Sequence, residues 1–294
     1  MMKKLFRLVV ATLILMPIAY ADQTLITNVH VWDGVAEQLS EKTSVMINGN
    51  LIRKIGRVDG DVGDGVKKID GGGRTLMPGL INSHVHLTHT MATGGITGFE
   101  MMTWEEIGAV AASSAKEYLM NGFTTVRDMG GMADGFKRAI DNGLLEGPRI
   151  YAAGAYISQT SGHADLRLRS QPNAQLTGVQ YSNLERLNII RVADGVPNIL
   201  TAVRDNFANG AAYIKIHAGG GIASERDPLH TVQYTPEELS AANSAVRNWN
   251  TYWTVHAYSS DSVNQALDAG ALCIDHGQMI DEKTMKHIAR GGIF

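Results

Sequence analysis

The chain has 294 residues, a formal net charge of −3 at pH 7, 44% hydrophobic residues and one cysteine. This length accommodates one large domain or two modest ones with a buried core. The composition excludes a disordered chain, a collagen, a coiled coil and a disulfide-stapled scaffold. The small charge gives no electrostatic case for nucleic acid or an anionic membrane as a partner.

Residues 1–21 have the order of parts of a Sec-type signal peptide. Basic residues precede an apolar run from Leu8 to Ile18, and Ala19-Tyr20-Ala21 matches an A-x-A cleavage site. The run is short for a membrane span, although an uncleaved anchor is the alternative. We therefore expect cleavage after Ala21 and a periplasmic or secreted protein with no membrane contact after cleavage.

Residues 22–77 read as short strands separated by polar or glycine-containing turns. Asn48-Gly49-Asn50 lies between two β-branched runs, which is typical of a hairpin. We expect a small β domain here, the N-terminal part of a β-sandwich.

From Pro78 onward, short apolar runs alternate with amphipathic segments. The predicted strands are 79–83, 123–126, 149–157, 213–216, 252–255 and 271–274, and the predicted helices are 104–120, 133–142, 198–208, 236–248, 261–269 and 281–289. A long polar loop is predicted over 158–194. This alternation indicates a parallel sheet, either a TIM-type (β/α)8 barrel or a doubly wound sheet. Since no G-x-G-x-x-G follows a strand, the barrel is favoured.

The predicted barrel occupies residues 78–294, whereas an eight-stranded barrel normally needs roughly 250 residues. The final residues, Gly291-Gly292-Ile293-Phe294, look like the start of a seventh strand. We therefore expect an incomplete α/β barrel with strands 1–6 and the beginning of strand 7.

Polar side chains collect at the carboxyl ends of these strands, where barrel enzymes keep their active sites. They are His84, His86, Lys215, His256 and His276. Imidazoles converging on one barrel mouth fit zinc-type coordination. Burial would lower the pKa of Lys215 and give a neutral amine able to form a carbamate, but an ion pair between Lys215 and an acidic residue across the barrel is the alternative.

Several motifs together resemble the amidohydrolase superfamily of metal-dependent hydrolases. They are Met77-Pro78-Gly79-Leu80-Ile81-Asn82-Ser83-His84-Val85-His86, Tyr213-Ile214-Lys215-Ile216, Val255-His256-Ala257 and Ile274-Asp275-His276-Gly277. Further segments resemble the imidazolonepropionase-like branch, which includes Xaa-Pro dipeptidases (prolidases) and ochratoxin-type amidases. They are 122–128, 161–165 and 234–239.

The resemblance implies a set of roles for these residues. His84, His86, carboxylated Lys215, His256 and His276 would ligate two divalent metal ions, usually zinc, and a bridging water would attack the amide carbonyl. A family Asp after strand 8 would be the general acid/base, and this sequence does not contain it. His163 and Tyr258 are expected to contact substrate. Asp128 and His217 are expected to contact the metal ligands.

The expected activity is hydrolysis of a C–N amide bond in a dipeptide or N-acyl amino acid, a small peptide-like substrate. An aryl-amide (ochratoxin-type) amidase is the alternative within the family. Outside it, the alternatives are an inactive remnant lacking the strand-8 Asp and a solute-binding protein, which the single run of βα units disfavours. A homo-oligomer is a further possibility that the sequence leaves open.

Overall fold

The computed structural model describes residues 22–58, 62–89, 95–224 and 226–294. The predicted signal peptide, residues 1–21, lies outside the described residues. The chain divides into two compact units with the boundary after Pro78. Among the described residues, no helix combines the length and apolar character needed to cross a bilayer.

The first unit is a β-sheet. Its strands are β1 Gln23–Val31, β2 Thr43–Asn48, β3 Leu51–Ile55, β4 Lys67–Asp70 and β5 Thr75–Leu76. The order is β3-β2-β1-β4, with β5 also paired to β1. β2 and β3 pair antiparallel around Gly49 and Asn50, which confirms the predicted hairpin. The described residues of this unit form one sheet, so a sandwich remains a prediction.

The second unit combines parallel strands with helices, as the alternation predicts. Its strands are β6 Leu80–Val85, β7 Phe123–Asp128, β8 Arg149–Ala152, β9 Tyr156–Ser158, β10 Ile190–Val192, β11 Ile214–His217, β12 Trp253–Ser259 and β13 Cys273–Met279. Its helices are α1 Gly95–Met101, α2 Trp104–Met120, α3 Asp134–Asp141, α4 Ala174–Thr177, α5 Asn183–Arg186, α6 Val196–Asn209, α7 Pro236–Arg247, α8 Ser260–Asp268 and α9 Glu282–Gly291.

The strands form two parallel sheets, β6-β7-β8 and β10-β9-β11-β12-β13. The predicted third strand is divided into β8 and β9, separated by residues 153–155. At the other edge, Phe294 N donates to Leu272 O and Ile274 N donates to Phe294 O. Phe294 is therefore hydrogen-bonded alongside β13.

Local sequence explains where the long helices begin. Thr103 caps α2 and Thr235 caps α7, each in a capping box with the Glu three residues later. α2 ends at Met120 before Asn121 and Gly122, as predicted. Apolar residues of α6, α7 and α8 bury β11 and β12, and Trp253, 0% exposed, lies in this core.

The predicted polar loop over 158–194 is more ordered than expected, since it contains α4, α5 and β10. Glu100 explains part of this order. Its buried carboxylate accepts hydrogen bonds from Ser182 Oγ, Leu184 N and Gln171 Nε2, and it also bonds Asn183 N at the start of α5. An anion at a helix start is favourable, and it holds this segment against α1.

Candidate active site

One cavity of about 700 Å³ lies at the carboxyl ends of the strands of the second unit. All five residues predicted to bind metal line it, and so do His163, His217 and Tyr258. Seven of the ten histidines of the chain line this cavity. The tertiary structure thus brings together residues that lie up to 192 positions apart in sequence, from His84 to His276.

The imidazoles form a continuous set of contacts. Ring centroids are 5.2 Å apart for His84 and His86, 4.9 Å for His84 and His276, and 4.6 Å for His256 and His276. Burial, reinforced by neighbouring positive charge, holds the pKa values of His86 and His256 well below the ordinary value and lowers that of His276 to about 4. These rings are therefore neutral near pH 7, which is the form that binds metals.

Lys215 is paired with a carboxylate. Its side chain is 1% exposed, and its Nζ donates to Asp275 Oδ2 at 2.8 Å. Burial lowers the pKa of Lys215, and the charge of Asp275 opposes this effect. The structure therefore shows the ion pair that the sequence left open as the alternative to a carbamate.

Asp275 is a centre of hydrogen bonding that the sequence reasoning missed. Besides Lys215, it accepts from Thr254 Oγ1 at 2.6 Å and contacts His84 Nδ1 at 3.0 Å. Burial alone would raise its pKa, but the Lys215 charge and these hydrogen bonds hold the pKa of Asp275 well below its ordinary value.

Adjacent residues of a strand normally face opposite sides. His276 nevertheless lines the cavity while Asp275 contacts two residues that line it, His84 and Lys215. His276 has a left-handed backbone with φ of 81°. Such a conformation is rare for a residue other than glycine and is frequent at functional sites.

His163 is oriented by an acidic partner. Its ring stacks on His256 at 4.0 Å, and its Nδ1 lies 3.1 Å from Asp227 Oδ2. Burial opposes ionisation of Asp227, but hydrogen bonds from His163 and its neighbours hold the pKa of Asp227 below its ordinary value. Gly221 packs on the His163 ring, since a Cβ there would lie 2.1 Å from it.

The other predicted residues take different positions. Tyr258 stacks on His276 at 5.0 Å, on the cavity wall. His217 points its Nδ1 at Ile157 O, 3.2 Å away, and its ring lies 5.2 Å from that of His256. Asp128 is fully buried and accepts from Leu87 N and Gly130 N. Burial raises the pKa of Asp128 to about 7.

Sequence reasoning also missed His89 and Tyr156. The sequence patterns did not single out His89, whereas His89 lines the cavity, where burial lowers its pKa to about 4. Tyr156 Oη lies 2.7 Å from His86 Nδ1 and 3.0 Å from His89 Nδ1. A signal existed for Tyr156, because it begins β9, in the second half of the predicted third strand.

The four histidines and a carboxylated Lys215 would suit divalent cations chemically, since neutral imidazole nitrogens and carboxylate-type oxygens are common metal ligands. Among the described residues, no three His, Cys, Asp or Glu side chains are already arranged to hold one. The contacts of Asp275 with Lys215 and His84 are the arrangement observed instead.

The sequence profile described as "Amidohydrolase family" matches residues 75–294. Ochratoxinase from Aspergillus niger is 30% identical over 228 aligned residues, covering 74% of this chain and 46% of that protein. The chain thus spans about half the length of these curated relatives.

Two solved structures are also similar. A prolidase complexed with N-methylphosphonate-L-proline has a TM-score of 0.83 and 32% identity, over 92% of this chain and 65% of that one. A Xaa-Pro dipeptidase with bound methionine in the active site has a TM-score of 0.77 and 31% identity, over 92% of this chain and 66% of that one.

Proposed function

Because the chain belongs to the amidohydrolase family, we propose that it takes part in hydrolysis of the C–N amide bond of a dipeptide or an N-acyl amino acid. The observation that carries the proposal is the convergence of His84, His86, His256 and His276 with Lys215 on one cavity. The family generally uses divalent metal ions, and zinc is the ion that we propose here.

His84, His86, His256 and His276 would hold two metal ions, together with a carboxylated Lys215. Burial favours the neutral amine of Lys215, which can add to the carbon of carbon dioxide and release a proton to give the carbamate. The pairing with Asp275 would have to be given up in that form. When bound, the metal ions would polarise the amide carbonyl and activate water.

The protein's own residues would orient the substrate. The Asp227 carboxylate fixes the His163 ring at the cavity wall, so that its other nitrogen, Nε2, is available to a substrate group. Tyr258 is held by stacking on His276 and would contact the substrate from the same wall. Phe99 and Leu166 line the cavity with apolar surface that limits the access of bulk water.

The similarity to a prolidase and a Xaa-Pro dipeptidase supports a dipeptide as the substrate. A cavity of about 700 Å³ is within the range for small ligands. The second candidate is an aryl amide. The apolar wall formed by Phe99, Leu166 and Ile222 and the similarity to ochratoxinase favour it.

We also propose that the protein is exported to the periplasm or secreted. The support is the order of basic, apolar and small residues over 1–21. N-terminal sequencing of the exported protein should begin at Asp22, and retention of Met1 in the mature protein would contradict cleavage.

The function is tested by stripping the protein with a chelator, reloading it with Zn²⁺ and assaying Xaa-Pro dipeptides and N-aroyl-phenylalanines. We expect turnover that depends on added Zn²⁺ and on bicarbonate. His276→Asn should abolish it, whereas His230→Asn, an exposed control, should not. Turnover that is undiminished in the chelator would refute the metal-dependent proposal. If the protein binds zinc but hydrolyses neither the Xaa-Pro dipeptides nor the N-aroyl-phenylalanines, the alternative that this chain is not by itself a working enzyme is favoured.

A further inference from the structure

We propose that the second unit carries a second ligand site, separate from the candidate active site, which binds a free α-amino acid between Glu185 and Arg191. The site is a cavity of about 460 Å³ lined by residues of α4, α5, β10 and α6. Among the described residues, it shares no lining residue with the cavity of the histidines. The inference therefore rests on this second cavity alone and does not depend on the proposed function.

Glu185 is a buried carboxylate that lines this second cavity. It is 7% exposed, and its Oε2 has no hydrogen-bond partner among the described residues. A buried carboxylate without a donor is unfavourable, because the charged form has lost its water and no protein group replaces that water. An N–H group of a ligand in the cavity would supply the missing donor.

The charged groups around Glu185 favour a cationic donor. Burial raises the pKa of Glu185, the charge of Arg167 opposes this effect, and the charges of Asp165 and Glu100 add to it. The Arg167 guanidinium is already engaged by Asp165 through two hydrogen bonds of 2.7 and 2.6 Å. Negative charge therefore exceeds positive charge at this end of the cavity, and the ammonium group of a ligand would balance it.

Arg191 supplies a cation on the wall of the same cavity. Its Nη2 donates to Asp205 on α6, whereas its Nε is buried without a hydrogen-bond partner among the residues that the structure describes. A guanidinium carries five N–H donors, so the pairing with Asp205 leaves donors over. A ligand carboxylate is the acceptor that matches these donors in charge and in planar geometry.

The other lining residues suit the rest of an amino acid. Ile190, Ala193 and Ala202 are buried apolar residues on which an apolar side chain would pack. The cavity volume is within the range for small ligands. Among the described residues, Glu185 is the one carboxylate on this cavity, which disfavours a divalent cation, since calcium and magnesium need several oxygen ligands. A small zwitterion with an apolar side chain therefore fits best.

The test is isothermal titration calorimetry of the purified protein in a chelator, with L-leucine and two analogues that each lack one charged group. 3-Methylbutylamine keeps the amine of leucine, and 4-methylpentanoate keeps the carboxylate. We expect L-leucine to bind and each analogue to bind at least about 10-fold more weakly, because each analogue loses its hydrogen bonds to one charged residue.

Two variants show which residue recognises which group. Glu185→Gln and Arg191→Met should each weaken L-leucine binding roughly 10–100-fold. Glu185→Gln should also lose most of the preference for L-leucine over 4-methylpentanoate, and Arg191→Met most of the preference for L-leucine over 3-methylbutylamine. A merely structural role would weaken all three probes alike. Arg186→Met removes an exposed cation of α5 and is the matched control, which should bind L-leucine as the wild type does.

Three results would overturn the second site. The first is no binding of L-leucine at millimolar concentrations. The second is binding that Glu185→Gln and Arg191→Met leave within about twofold of the wild type. The third is binding that is lost in His276→Asn and kept in Glu185→Gln, which would place the amino acid in the cavity of the histidines. If Arg191→Met fails to fold, Glu185→Gln decides, and an unchanged preference for L-leucine over 4-methylpentanoate refutes the site.

Discussion

Replacing Lys215 by Met in the metal-free protein should lower the free energy of unfolding by about 3–5 kcal/mol, the usual cost of removing one partner of a buried ion pair. Lys215 is 1% exposed, and Asp275 is 7% exposed. Methionine retains most of the apolar stem of lysine, so the loss reports the charge left behind on Asp275 more than a cavity.

The contacts of Asp275 also set a minimum for the loss in free energy of unfolding caused by Lys215→Met. After the substitution, Asp275 keeps its contacts with Thr254 and His84 but loses the hydrogen bond of 2.8 Å from Nζ. If that contact were only a neutral hydrogen bond, its loss would cost about 1 kcal/mol. Replacing both residues, as in Lys215→Met/Asp275→Leu, should return the stability to within about 1 kcal/mol of the wild type.

The assay is urea unfolding in the presence of a chelator, monitored by tryptophan fluorescence, with Trp253 as a buried reporter. Lys137→Met is the matched control. It breaks the exposed pair with Asp141 within α3 and should change the stability by no more than about 0.5 kcal/mol. A Lys215→Met variant within about 1 kcal/mol of the wild type, or a double variant as unstable as the single one, would refute the reasoning.

Three further predictions concern other parts of the second unit. Burial raises the pKa of Asp134 from 3.8 to about 6, so the folded state binds this proton more tightly and its stability falls as pH rises from about 4 to about 6. Asp134→Asn should therefore gain up to about 3 kcal/mol in urea unfolding at pH 8 and little at pH 4, and an equal gain from the exposed control Asp141→Asn would contradict this. Gly221→Ala should displace the His163 ring, since a Cβ at this position would lie 2.1 Å from it. The substitution should lower kcat/KM at least about 10-fold and leave the Zn²⁺ affinity unchanged. An unchanged kcat/KM would show that His163 does not contact the substrate. Ile222 is 79% exposed and lines the cavity. Ile222→Ala should therefore change the free energy of unfolding by less than about 0.5 kcal/mol while raising KM for apolar substrates. An unchanged KM would show that Ile222 does not contact the substrate.

The helix starts and the site positions on single strands were predictable because their causes are local. Thr235 and Glu238 satisfy the first N–H groups of α7 within one turn. His84 and His86 lie two positions apart at the end of β6, so a strand alone places them on one side. The parallel order of βα units then brings the carboxyl ends of the strands to one edge, which predicted that His84, His86, His256 and His276 would lie close together.

The partners of these residues were decided by tertiary structure. Asp275 lies 60 positions from Lys215 in sequence, and the two residues meet because β11 and β13 flank β12 in the sheet. Tyr156 reaches His86 and His89 across 70 and 67 positions. Sequence patterns report which side of an element a residue occupies, whereas a hydrogen bond of 2.7 Å depends on side-chain directions that only the packed strands fix. The sequence therefore specified locally the residues proposed as metal ligands, while the groups that contact them and shift their pKa values depend on contacts formed when the strands assemble.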